Sequence, residues 1–490
     1  DGIGVPIRFF GQSMVARCDS KEWWMMSEVT AALARFATEL RYEDLPEEVV
    51  DKAKQLLLDI LGIALRASVD ADSSVSVRRA VGALAAPGDA SVFGEDTTMA
   101  PAHAALLNGT YAHSLDFDDT HREGSVHPGA SVVPAVIALA EQERLDGRRL
   151  LAAMVAGYEV VCKLSMALDA KSHYDRGFHP TATAGVFGAT AAGANLLGLT
   201  FEQLLNAFGV NGSQAAGSLQ FLENGSWNKR IHPGLAAHNA IFALELARNG
   251  FVGSALPLEG RFGLFRGYTD NAHPELATGG LGERFEILNT AIKPYPACRY
   301  AHAPLDAIID LTREHDLKPE EIESVTIGLS DAGVALIGRP VERKRQVRNI
   351  VDGQFSMPFL AAVALTRRRM GWGDYDLVGD PGIDALMQKI DVVPDDEANR
   401  VYPERWLSCV TIRARGQTFV DRRWRTRGEP ELPMTWDDIE AKFDDLASPV
   451  LAADQRRKVV DTVRRLETVS DMRSLGALLR RQAVQAKAGD

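Results

Sequence analysis

Cysteine is scarce: four in 490 residues (Cys18, Cys162, Cys298, Cys409), none in a CxxC pair. That leaves no disulfide framework, zinc ribbon or iron–sulfur cradle, and it fits a reducing compartment, so a cytoplasmic location is expected. No uninterrupted apolar run approaches the ~20 residues of a bilayer span, and no membrane partner is expected. A GxGxxG after a strand, a Walker P-loop, an HExxH helix and a GxSxG elbow are all missing, which argues against nucleotide cofactors, zincin chemistry and serine hydrolysis. Basic charge is also short. Lys and Arg number 54 against 66 Asp and Glu, and the net charge of −12 argues against a nucleic-acid partner.

What the chain does have is concentrated in residues 107–140. Asp116, Asp118, Asp119, His121 and His127 fall within twelve residues, and an alanine-rich apolar run follows. His127-Pro128-Gly129 stands at that boundary. Proline suits the first turn of a helix and pushes the residue before it towards extended backbone. His127 is therefore expected just ahead of a helix N-terminus, where free N–H groups favour an anion. The arrangement recurs at His179-Pro180, His232-Pro233 and His273-Pro274. Four of the 11 histidines precede one of only 22 prolines, where chance would place about half of one. Small residues follow the first three pairs and would let neighbouring helices approach closely. The expectation is several helix N-termini converging on one cavity, with a histidine at each mouth.

At 490 residues the chain is too long for one small core, and two domains are expected. Residues 1–25 show no clear period and read as an upstream extension. From Met26 to 289 the pattern is nearly all helix. VVDKAKQLLLDILGIAL, for example, places Val49, Ala53, Leu56, Leu57, Ile60, Leu61 and Ala64 on one face. Ala90–Gly94 reads as an isolated extended piece. The texture changes at 290: Ser324–Leu329 alternates like a half-buried strand, and 406–421 reads as two strands joined at Arg415-Gly416. QFSMPFLAAVALTRR between them reads as a helix. Residues 290–430 thus form a smaller α+β lid, expected to be antiparallel, and 431–490 are helices that pack back on the first part. The fold class is mainly α with an α+β lid.

Two basic stretches complete the candidate site. Lys229 and Arg230 immediately precede His232, and Lys293 lies in IKPYPACRYAH, among prolines and aromatics that imply a fixed, partly buried loop. A lysine at a domain junction can hold a carboxylate when domains close. The main rival is a metal-dependent hydrolase built on the Asp116–His127 cluster. Its spacing fails the calcium-loop pattern, because His121 stands where glycine is required. A catalytically silent helical scaffold is the third reading.

The segments NGTYAHSLDFDDTH…HPGASVVPAVIALAE, GFHPTATAGVFGA, KRIHPGLAAHNA and KPYPACRYAH, in that order, resemble the MmgE/PrpD family from about Met26 to 480. The resemblance implies a large helical domain with an α/β lid, usually as a homodimer, with neither metal nor organic cofactor. It also implies activity on a small di- or tricarboxylate, by proton movement at the carbon next to a carboxylate. By motif, Asp116 and Thr120 would line and orient the pocket, His127 and His179 would be its acid–base pair, and Lys229 and Lys293 would hold substrate carboxylates. Arg230 and Tyr300, beside those lysines, are further candidates for substrate contact. Two positions depart from the decarboxylase members: Cys298 replaces a histidine, and Met357 replaces a pocket tyrosine. The implied activity is therefore that of the 2-methylcitrate dehydratase-like or iminodisuccinate epimerase-like members, a cofactor-independent lyase or isomerase. A base near neutral pKa and cations that stabilise an enediolate are the tools all these reactions need.

Overall fold

The helical part is packed around α1 (Glu47–Asp70). Pro46 occupies its N-cap, and Glu47 and Glu48 place negative charge at the positive end of the helix dipole. The seven residues expected on its apolar face are buried, and so are Leu58, Ile63 and Leu65 on other faces, so the middle of α1 is enclosed on all sides. The computed structural model describes residues 28–481 apart from 224, 403 and 404; the segment 1–25 lies outside the described residues.

Against α1 pack α2 (Pro101–His113), α3 (Gly129–Glu143) and α4 (Gly147–Ala167), and α5 (Gly185–Leu197) and α6 (Asn228–Arg248) pack on those helices and on each other. Small residues set their spacing. A Cβ on Gly109 of α2 would lie 2.8 Å from Gly234 Cα, and one on Gly234 of α6 would lie 2.3 Å from Leu106 O, so α2 and α6 touch backbone to backbone. Helix α4, at 21 residues, is long and apolar enough to cross a bilayer, but 94% of its apolar window is buried inside the protein. It also carries buried Glu159 and Lys163. It reads as a core helix.

Two expectations for this part need correction. Residues 250–289 are mostly loop, with short helical pieces at Leu264–Gly267, Pro274–Thr278 and Glu286–Asn289. Gly250, Gly253, Pro257, Gly260, Gly263 and Gly267 break the helical pattern there. The piece at 90–94 is not isolated: Ala90–Ser91 pairs antiparallel with Thr98–Met99.

The lid comprises α7 (His302–Glu314), β1 (Ile322–Leu329), α8 (Met357–Arg367), β2 (Ile390–Pro394), β3 (Ser408–Ala414) and β4 (Gln417–Arg423). Its sheet has the order β2-β1-β3-β4. It is mixed rather than antiparallel, because β2 pairs parallel to β1. The sequence reading missed β2, a five-residue edge strand that ends in Pro394, where a missing N–H is tolerated. Strands β3 and β4 form the expected hairpin. Arg415 and Gly416 both take positive φ (55° and 68°), as a two-residue turn that matches strand twist requires. Helices α7 and α8 pack on each other and against the sheet.

Beyond the lid, α9 (Trp436–Ala447), opened by a Thr435–Asp438 capping box, lies along α1. Phe443 fills the space left by Gly62, and Trp436 Nε1 donates to Asp51 at 2.8 Å. Lys442 pairs with Asp59 at 2.6 Å in the buried interface. The following helices return to the helical part as well, where Gly94 N donates to Leu479 O at 2.9 Å. A two-residue ribbon, Thr120–His121 against Thr290–Ala291, links the loop after α2 to the loop that opens the lid.

Candidate active site

Helix α2 ends at His113, and the chain turns sharply so that Asp116 adopts φ 52°, left-handed backbone that aspartate tolerates better than most residues. Lys229, in the first turn of α6, places its Nζ 2.7 Å from Asp116 Oδ1. Lys293, just past the Thr290–Ala291 ribbon strand, donates to Asp116 O at 2.7 Å and lies 3.5 Å from Oδ1. Burial opposes ionisation of Asp116, yet Lys229 and Lys293 hold its carboxyl well below the usual carboxylate range. Lys229 feels the reciprocal effect: burial would lower its pKa, but Asp116 raises it, so it stays charged.

Beside this triad lie four imidazoles. His127 precedes α3 by two residues, and its backbone N–H donates to Thr181 Oγ1 at 3.1 Å. His179 is the N-cap of the short helix Pro180–Thr183. His113 bridges them, with ring centroids 4.7 Å from His127 and 5.9 Å from His179. His179 and His232 face each other Nδ1 to Nδ1 at 3.1 Å. One of that pair must donate and the other accept, so the two rings carry opposite tautomers. Asp118 Oδ2 sits 2.7 Å from His113 Nδ1 and 3.2 Å from His127 Nδ1. Burial opposes the charge on Asp118, but His113 and His127 hold it well below its ordinary value.

Burial lowers the pKa of His127 to about 4; Asp118 works against that shift, while His113 and Lys229 reinforce it. Burial, with His113, Lys229 and His232, puts His179 well below the ordinary imidazole range, and burial lowers His232 to about 4. At neutral pH these rings are uncharged, as a general base requires. His113 Nε2, Asp118 Oδ1 and Thr120 Oγ1 are all buried without a hydrogen-bond partner among the described residues. So many unpaired polar atoms in one place is unusual in a folded interior, and it marks a site shaped for a polar ligand.

The structure therefore brings Asp116, Thr120, His127, His179, Lys229 and Lys293 into one region, and it leaves two other candidates outside. Arg230 turns towards Ser73, 3.2 Å from its Oγ, and lies over Trp227. Tyr300 stands in the lid, stacked on Trp406 at 4.3 Å and bonded to the Tyr402 hydroxyl. Two of the four His-Pro pairs also behave differently from expectation. Pro233 lies inside α6, so His232 sits in the second turn of a helix already begun at Asn228. His273 does precede a short helix, but its neighbours are Asp169 and Glu275, away from the cluster. The acidic run is dispersed too. Asp119 accepts from Tyr158 (2.9 Å) and Gly129 N (3.2 Å), and burial raises its pKa to about 8; His121 turns to Glu286 at 3.2 Å. Gly129 is required for this closeness, because a Cβ there would lie 2.5 Å from the Tyr158 hydroxyl. Of the suspected metal set only His127 and Asp118 stay together, joined by His113, with candidate ligand atoms within 4.8 Å of one another.

The sequence reading missed His113 and gave Asp118 a part only in the rival metal cluster. The only signal was their five-residue spacing across a helix end, which has no periodic signature. It also missed Gln354, whose Nε2 donates to Leu115 O at 2.8 Å and to Pro296 O at 3.2 Å, tying the loop after α2 to the Lys293 loop. Of the two departures, Cys298 is buried, with its thiol pushed up to about 11 by burial, and Met357 is fully buried at the start of α8.

Comparison with known proteins identifies the family. Models of the MmgE/PrpD N-terminal and C-terminal domains match residues 31–277 and 295–468. The chain is 28% identical over 482 residues to a cis-aconitate decarboxylase of Aspergillus terreus, covering 92% of this chain and 96% of that one. It is 27% identical to the Homo sapiens cis-aconitate decarboxylase, over 93% and 95% of the two chains. It is 24% identical to the 2-methylcitrate dehydratase of Escherichia coli, over 73% and 76%. With both domain models matched across the residues that build the site, the chain belongs to the MmgE/PrpD family.

Proposed function

We propose that the protein is a cofactor-independent lyase of a small tricarboxylate that abstracts a proton from the carbon next to a carboxylate. One observation carries this reading: uncharged, buried imidazoles stand beside two lysines, among buried polar atoms that lack partners. Lys229 and Lys293 hold substrate carboxylates and stabilise the enediolate that forms when the proton leaves. Asp116 fixes both ammonium groups. His127 is the base: Asp118 behind it stabilises the imidazolium as it forms, and the charge of an anionic substrate raises its proton affinity on binding. His179, coupled to His232, serves the opposite side: it takes up a proton together with the anionic substrate, whose charge raises its proton affinity, and passes that proton to the departing hydroxyl.

Loss of the hydroxyl, as in 2-methylcitrate dehydratase, is the outcome proposed here; return of the proton to the other face would give epimerisation. Decarboxylation is disfavoured, since neither Met357 nor the neutral Cys298 thiol replaces the missing tyrosine and histidine as a proton donor at neutral pH. Incubation with methylcitrate, aconitate isomers and aspartate-derived dicarboxylates in deuterium oxide, followed by proton NMR, distinguishes the outcomes. Dehydration with negligible carbon dioxide release from cis-aconitate is expected. Rapid carbon dioxide release would overturn the assignment of outcome. A metal-assisted hydrolase rests on the His113–Asp118–His127 trio. Metal content of the purified protein, and turnover before and after chelation, separate it from the lyase.

A further inference from the structure

A cleft that shares no lining residue with the histidine cluster opens between Arg122 and residues 405–431 of the lid side. Its floor is already satisfied. Arg299 pairs with Glu429 and lies 4.7 Å over the Trp406 ring, whose neighbour on stacking is Tyr300. Arg122 pairs with Glu431 at 3.1 Å. Its rim is not satisfied. Arg405 and Arg425 make no ion pair among the described residues, and the indole of Trp424, 41% exposed, has no ring or cation against it. Arg122 also pairs with Glu123, so four arginines stand against three glutamates and leave the cleft positive in a protein of net charge −12. Its free volume is about 140 Å³, roughly ten times what one water needs by the same measure.

We propose that this cleft binds a nucleoside phosphate, its phosphate chain on Arg405 and Arg425 and its base stacked on Trp424. Guanidinium groups match phosphate oxygens in bidentate geometry, and an exposed indole offers a face on which any base can stack. A simple inorganic anion would use the arginines and leave the indole idle. The absence of a P-loop or GxGxxG bears only on main-chain cradles; here side chains do the recognising. Binding here would also meet Arg122 and Arg299, which follow directly on His121 and Cys298 and pair with the 429–431 segment, so an occupied cleft would stiffen the junction between helical part and lid.

Isothermal titration and tryptophan quenching of the full chain with ATP, adenosine and tripolyphosphate test this. Saturable ATP binding is expected, weakened about tenfold or more in R405Q/R425Q. W424L should weaken ATP but leave tripolyphosphate unchanged. All three positions are at the cleft rim, and unchanged melting curves would show the variants are folded. No saturable ATP binding, or ATP affinity untouched by the double change, overturns the proposal. Tripolyphosphate binding as tightly as ATP with W424L without effect also overturns it, in favour of a bare polyanion site.

Discussion

The residue scale carries the chemistry. If Lys229 and Lys293 hold substrate carboxylates, Lys229→Met or Lys293→Met removes a charge-assisted contact worth roughly 1.5–3 kcal/mol, or about tenfold to a hundredfold in affinity. Steady-state kinetics should show this chiefly as a raised KM; unchanged kinetics in both variants would return the lysines to a structural role. The pH profile gives an independent check. The base must be uncharged, and burial lowers His127 to about 4, so kcat/KM should stay level from pH 8 to 6 and fall only as pH approaches that value. An acid limb centred on the ordinary imidazole value of ~6.5 would mean the base is a solvated histidine elsewhere. Of the six residues gathered at the site, His127, His179, Lys229 and Lys293 were legible from His-Pro and basic motifs, and Asp116 and Thr120 from the LDFDDTH run. His113 and Asp118 were not, since their pairing is made by a turn that one left-handed residue, Asp116, allows.

At the scale of elements, the site is held by loops that helices pin from outside. Lys442 of α9 donates to Lys293 O (2.9 Å) and Phe117 O (3.2 Å) while pairing with Asp59 of α1. One buried ammonium thus ties together the loops that bear Asp116 and Lys293. Lys442→Met should cost roughly 3–5 kcal/mol, because it leaves Asp59 buried and unpaired, and should raise KM as both loops loosen. Adding Asp59→Asn should recover part of the stability in thermal melts. A double variant no more stable than the single one would show that the charge pair is not the cause. Long amphipathic helices and the Arg415-Gly416 hairpin were readable from period and turn chemistry. The edge strand β2 and the loops of 250–289 were not: the first is short and takes its pairing from β1, and the second is apolar enough to look helical until its glycines are counted.

Across the whole molecule, buried ionisable groups tune stability to pH. Glu159 in α4 accepts from Ile287 N at 3.1 Å and is raised by burial to about 8. A carboxyl raised above its unfolded value contributes stability that is complete below that value and is lost as pH rises through the folded one. Glu159→Gln should therefore gain in melting temperature relative to wild type as pH climbs from about 5 to 8; a constant difference would show that Glu159 stays ionised. The central claim, that His127 and His179 move a proton next to a carboxylate, is tested most directly by following exchange of the substrate's α-proton in deuterium oxide, once the NMR screen has supplied a substrate. General acid–base catalysis contributes about 10²–10⁴-fold, so His127→Ala should slow exchange on that scale. His179→Ala should slow turnover similarly, with both variants folded. Exchange and turnover at the wild-type rate in both would contradict the account, leaving these histidines as helix caps and the chemistry elsewhere.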